Sequence, residues 1–156
     1  MNAAHIHLLT VHLPVVLCPL VAVLLAVGAL RSSDGLQRVG YVVLIVAAAA
    51  GAVAFYSGPS AFDLLQEKLA EERSLVEDHA AIARAAFIAT LVTAAIAIQA
   101  LLQFAQEEPP ARWLRRTILI GTLLACYLMA WSAHLGGHIR HPETRDSSFF
   151  FFFPRL

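Results

Sequence analysis

Four stretches of this chain show no polar face at all. They run roughly over 13–30, 39–56, 80–105 and 117–135, and charged or turn-forming residues break the chain between them. "YVVLIVAAAAGAVAF" (41–55) and "TILIGTLLACYLMAW" (117–131) leave nothing to present to water, which excludes a soluble helical bundle. A helix needs about 20 apolar residues to cross a bilayer. The first, second and last stretches, about 18 to 19 residues each, suffice with little tilt. The pattern predicts an all-α integral membrane protein: a four-transmembrane-helix bundle threaded up-down-up-down over residues 1–146. Between the second and third stretches, Phe62, Leu65, Leu69 and Val76 recur near helical spacing among acids, which predicts an outer surface helix over 60–78.

Composition agrees with a lipid environment. Hydrophobic residues make up 59% and charged residues 14%, with a mean hydropathy of +0.70. The segment "MNAAHIHLLTVHLP" has no Lys or Arg ahead of its apolar run and no small-x-small cleavage site after it, so the first span is expected to be retained. Cys18 and Cys126 stand singly in different spans, without a CxxCH or CxxC motif, and are expected to act as small apolar residues. A net charge of zero gives no pointer to nucleic acid, and none is expected as a partner.

Charge sets the expected orientation. The loops 31–38 and 106–116 carry Arg31, Arg38, Arg112, Arg115 and Arg116. The loop 57–79 carries only Lys68 and Arg73 against six acids. Cytoplasmic loops are enriched in Lys and Arg, so both termini are expected on the outer, periplasmic side of a bacterial inner membrane. The acidic loop would suit a basic soluble redox protein. Five consecutive phenylalanines, 149 to 153, are too short to span; the tail 147–156 is expected to pack in the interface or on another membrane subunit.

Against this frame of spans, the seven histidines are unevenly placed. His5, His7 and His12 lie at or before the start of the first span, His79 opens the third, and His134, His138 and His141 close the fourth. All therefore belong to one membrane face, which points to a shared site. On a straight helix His134, His138 and His141 stack on one face. Gly136 and Gly137 beside them would admit a backbone or a flat ligand. Pro14 suits a helix first turn, and Pro19 predicts a kink that widens the outer end. Gly51 and Gly58 favour close helix packing.

Several neutral imidazoles at one face suit haem b first, because the iron of an electron carrier takes two axial protein ligands. One or two haems fit the count. His12, His79 and His134 are the expected axial ligands, with His7 or His141 as a fourth. Arg84 is expected to pair with a propionate, with Arg140 as a second candidate. Asp78 would fix the tautomer of a neighbouring ring. Zinc or copper is the next candidate. Tyr56, Tyr127 and Trp131 read as interfacial anchors.

The same residues resemble a known family. "HLLTVHLPVVLCPL" (7–20) is similar to the opening "HPxxVHFPIAL" of bacterial membrane proteins catalogued as domain of unknown function 2231. "YSGPSAFD" (56–63) resembles the end of that family's second helix, and "EDHAAIARAAF" (77–87) the start of its third. "HLGGHIRHP" (134–142) resembles its closing "HxGGxLTHG", a form found alongside c-type cytochrome domains. Leu8 and Pro142 depart from the pattern. The resemblance carries His7, His12, His79, His134 and His141, while His138 falls at a variable position. What it implies is haem binding by the histidine-rich form; together with the residues read above, the expectation is a membrane-anchored, b-type cytochrome-like electron-transfer subunit, partnered by other membrane subunits and a periplasmic redox protein such as a c-type cytochrome. Bis-imidazole ligation would leave no open iron position, so catalysis by the chain alone is not expected. A structural or assembly subunit, or a protein handling copper or divalent metal, are the alternatives.

Overall fold

A computed structural model of the chain describes residues 2–144, so the phenylalanine tail expected to dock at 147–156 lies outside the described residues. Four helices follow in order: α1 (Ala3–Leu30), α2 (Asp34–Asp63), α3 (Arg73–Ala105) and α4 (Arg112–Arg140), with a short 3-10 turn at Pro142–Thr144. All four are long and apolar enough to cross a membrane. They also reach well beyond the stretches that hydropathy marks. At 28 to 33 residues and about 1.5 Å per residue they measure roughly 42–50 Å. The hydrocarbon layer is about 30 Å thick. Hydropathy reports burial in lipid, whereas caps decide where a helix ends. Asn2 Oδ1 accepts the His5 N–H at 3.0 Å, and Ser33 Oγ accepts the Leu36 N–H at 3.4 Å.

Two sequence expectations need correction here. The residues 60–78 form no separate surface helix: α2 runs on to Asp63, turns occupy 64–72, and α3 begins at Arg73. The apolar spacing at 62, 65, 69 and 76 therefore spans two helix ends, and the exposed Arg73–Glu77 pair (3.0 Å) belongs to the first turns of α3. Pro14 is not in a first turn either. Because α1 starts at Ala3, Pro14 is a buried interior residue, and the helix continues through both Pro14 and Pro19.

The helices pack as a ring, α1 on α2, α2 on α3, α3 on α4 and α4 on α1. Contacts show that successive helices run antiparallel. His7 near the start of α1 meets Ala54 near the end of α2, Tyr41 near the start of α2 meets Phe104 at the end of α3, and His79 on α3 meets Ser132 on α4. The starts of α1 and α3 and the ends of α2 and α4 thus share one end of the bundle. One buried cluster, built on Leu25, Tyr41, Leu44, Ala97 and Ile118, fills the opposite half. A smaller one around Cys18, Ala47, Ala86 and Met129 lies towards the histidines.

The two hairpins repeat one another. The buried positions Pro14, Cys18, Val21, Leu25 and Gly28 of α1 reappear 72 residues later (79 − 7, the histidine offset) as Ala86, Thr90, Thr93, Ala97 and Ala100 of α3, all buried. Gly40, Leu44, Ala47, Gly51 and Ala54 of α2 reappear 78 residues later (136 − 58) as Ile118, Thr122, Ala125, Met129 and Ser132 of α4. Steps of four and three residues keep each stripe on one face, as in left-handed bundles. Almost no identities survive, so the repeat is carried by burial rather than by residue type.

At the end away from the histidines, buried polar groups tie the loops down. Gln37 Nε2 donates to Leu25 O (3.0 Å) and its Oε1 accepts the Tyr41 hydroxyl (3.0 Å). Arg115 holds Asp34 at 2.6 Å, and the Arg38 guanidinium lies 4.4 Å from the Phe104 ring centre. Replacing Gln37 by Ala would strand the Tyr41 hydroxyl at a site with no exposure. The expected cost is about 1–3 kcal/mol. Thermal unfolding of the purified variant checks it, and an unchanged midpoint would show the network to be dispensable.

Candidate functional site

Each hairpin seats one histidine in the same way. His7 on α1 places Nδ1 2.8 Å from the Ala54 carbonyl oxygen of α2, with Ser57 Oγ at 3.4 Å. Four residues beyond Ala54 comes Gly58, and a Cβ there would stand 3.5 Å from the His7 ring. His79 on α3 places Nδ1 2.9 Å from the Ser132 carbonyl oxygen of α4, with Ser132 Oγ at 3.4 Å. Four residues beyond Ser132 comes Gly136, where a Cβ would stand 3.2 Å from His79 Cε1. A ring nitrogen on one helix, a carbonyl on the next and a glycine one turn on make up the seat. It occurs twice, at equivalent places in the repeat.

The chemistry of the seat fixes the tautomer. A carbonyl oxygen only accepts, so Nδ1 of both rings must carry the proton. In the neutral ring Nε2 then carries the lone pair, the arrangement in which histidine serves as a ligand, with the opposite nitrogen anchored to backbone. Both rings are half-buried, and His7 and His79 lie within electrostatic reach of one another. Equivalent residues also approach each other deeper in the bundle, where Cys18 lies against the Thr90 hydroxyl. His7 and His79 thus form a pair of backbone-seated imidazoles from facing hairpins, at one end of the bundle.

The other sequence candidates lie elsewhere. His12 is exposed on the outside of α1, and Arg84 is exposed on α3. These two are equivalent in the repeat, each five residues after its seated histidine. Arg84, expected to pair with a propionate, therefore does not face the bundle interior. His134 and His138 are half-buried, and their rings pack edge-on with centroids 4.1 Å apart. His141 is no longer in the stack. It caps α4 with non-helical backbone, and its Nδ1 pairs with Glu143 Oε1 at 3.0 Å. The Glu143 carboxyl is held below its usual range by its own backbone N–H and by that ring. Arg140 is exposed. The tautomer-fixing role expected of Asp78 falls to the Ser132 carbonyl instead.

Gly136, expected to make room for a ligand, is covered by the His79 ring, while Gly137 has nothing within 4 Å of a Cβ position. Sequence reasoning missed the seats themselves, Ala54 and Ser132, because a backbone carbonyl leaves no residue signature. The one available signal was the pair of glycines, Gly58 and Gly136, each at the end of its hairpin's second helix. Among the described residues no group of three or more His, Cys, Asp or Glu is placed to hold a metal ion. Any metal chemistry at the histidine end therefore rests on pairs.

The family described as "Predicted membrane protein (DUF2231)" matches residues 3–141. No curated protein and no solved structure matches the chain. The matched region takes in all four helices and both seated histidines. By that match, the chain belongs to the DUF2231 family of predicted membrane proteins.

Proposed function

We propose that the chain is a b-type cytochrome-like electron-transfer subunit, with haem at the periplasmic end of the bundle and work to do inside a larger redox complex. The observation that carries this reading is the pair of seated imidazoles, His7 and His79. Two neutral rings from facing hairpins, each held as the Nδ1–H tautomer, are the donor set that a six-coordinate b haem requires. This pairing replaces the His12 and His134 ligation suggested by distance from the span ends. When bound, such a haem supplies one-electron transfer and leaves no open iron position. The chain's own part is to hold each ring at fixed tautomer and angle through the Ala54 and Ser132 carbonyls. Half-burial of both rings between helices limits the access of water to them.

Visible absorption of the purified chain, oxidised and then dithionite-reduced, tests the reading. Sharp reduced bands of a low-spin b haem are the expected result. A colourless protein after expression with haem precursors would refute it and favour a structural subunit.

The orientation rests on the arginines. Arg31, Arg38, Arg112, Arg115 and Arg116 gather at the end away from the histidine pair, so that end belongs in the cytoplasm of a bacterial inner membrane. The apolar outer surface, with Leu13, Val16, Leu91 and Leu123 exposed, suits lipid. Electrons then enter and leave on the periplasmic side, exchanged with other membrane subunits or a soluble c-type cytochrome. A membrane-impermeant donor should reduce the haem in right-side-out vesicles; reduction confined to inside-out vesicles would reverse the assignment.

A further inference from the structure

The chain has two cysteines and two methionines, and every one of them except Met1 is gathered at a single level of the bundle. Cys18 on α1 and Met129 on α4 belong to one buried cluster, and Cys126 of α4 packs against it. Cys18 and Cys126 are within electrostatic reach of each other. Cys126 and Met129 are three residues apart on α4, which puts them on neighbouring turns of one face. Small side chains, Ala47 and Ala86, complete the cluster. The repeat sharpens the point. At the equivalent positions in the other hairpin stand Thr90 for Cys18, Ala48 for Cys126 and Gly51 for Met129, none bearing sulfur. A core that needed only apolar volume at this level has brought one sulfur from the first hairpin together with two from the second, on the adjacent helices α1 and α4, while the equivalent positions on α2 and α3 carry none.

We propose that Cys18, Cys126 and Met129 form a buried site for a soft monovalent metal ion, with copper(I) as the physiological class. Thiolate and thioether donors select such ions over harder ones. Charge selects the valence. In an apolar interior an uncompensated charge is costly. One thiolate and one copper(I) ion cancel, with the second thiol and the thioether as neutral donors. Binding breaks one S–H bond, forms one S–Cu bond and releases one proton to water, with no change of oxidation state. The site lies about 16 Å below His7, eleven residues along α1 at about 1.5 Å each. It shares no residue with the histidine pair and does not depend on the haem reading.

The test uses the full chain, purified in detergent under anaerobic conditions without a polyhistidine tag. Copper(I) is titrated in competition with bicinchoninate, and copper X-ray absorption reads the donor atoms. The expected result is retention of about one equivalent with a sulfur-dominated shell. The C18S/C126S double variant should lose that retention. M129L, a volume-conserving change in the core, should keep the fold and show one sulfur fewer. A H7A/H79A variant should retain copper as the wild type does. No retention by the wild type, a nitrogen-dominated shell, or an M129L shell identical to wild type would each overturn the site. So would loss of copper in H7A/H79A with retention in C18S/C126S, which would move the ion to the histidines.

Discussion

Replacing His79 by alanine should leave a folded bundle that no longer holds low-spin haem. The ring contributes one hydrogen bond to the Ser132 carbonyl, worth about 0.5–1.5 kcal/mol. Ser132 lies inside α4, so its carbonyl keeps its helical partner when the ring is gone. The loss to the cofactor is far larger. Even partners that only orient a metal ligand cost on the order of 10- to 100-fold in affinity when removed, and His79 is placed here as the ligand itself. His7→Ala should behave alike, because its seat is equivalent. His12→Ala and His141→Ala should retain a wild-type spectrum, since both rings are exposed. Haem content and the reduced-minus-oxidised spectrum of the four variants decide the matter. If His12→Ala loses haem while His7→Ala keeps it, the pairing is wrong even though haem binding stands. The glycines give a finer check. Gly136→Ala would press a methyl to 3.2 Å from His79 Cε1 and should perturb the spectrum, whereas Gly58→Ala at 3.5 Å meets ordinary contact and should not.

The largest loss of stability is expected from Gly121→Ala. A Cβ at that position would stand 2.5 Å from Thr93 Oγ1 and 3.0 Å from its Cγ2. Thr93 is buried and β-branched, and its hydroxyl already donates to Ala89 O at 2.6 Å, so turning away from a new methyl costs it that bond. Either α3 and α4 separate or Thr93 gives up its bond. Overpacking of this kind costs about 1–3 kcal/mol, which outweighs the roughly 1 kcal/mol that alanine gains over glycine in a helix. Gly35→Ala is the natural control. Its nearest neighbour would be Ser33 Oγ at 3.9 Å, and it should melt at or above the wild-type temperature. Thr93→Ala combined with Gly121→Ala should recover much of the loss. Equal melting of the Gly121 and Gly35 variants in detergent would mean that this crossing is not tightly packed.

How much of this was readable from the chain follows from helical phase. The four spans were legible because lipid-facing helices lack a polar side. The histidine end was legible because helix order alone puts those residues on one face. Which histidines face inward depends on helical phase, which position at a span end does not give: His79 and His7 sit inward, whereas His12 is exposed. His7, Pro14, Val21 and Leu25 keep to steps of seven and four, and all but the half-buried His7 are buried. His12, five residues after His7, is rotated by about 140° from that stripe at 100° per residue. Arg84 bears the same relation to His79, with Ala86 in the inward place. The loop over 60–78 misled for the opposite reason: its apolar spacing was real but divided between two helix ends. The backbone carbonyls that seat the rings have no residue code and were out of reach.

The doubled hairpin has one more consequence, and it concerns symmetry. Two identical hairpins associating as a pair would be compelled to set every axial residue opposite its own copy, cysteine against cysteine and histidine against histidine. Joined in one polypeptide, the halves are free to differ where they meet. His7 still faces an identical partner in His79, whereas Cys18 faces Thr90 and Met129 corresponds to Gly51. One level of the bundle has kept the likeness of its halves and a deeper one has abandoned it. A single gene can thus hold an even-handed pair of donors above an unmatched set of sulfurs, one from the first half and two from the second, a combination closed to any homodimer.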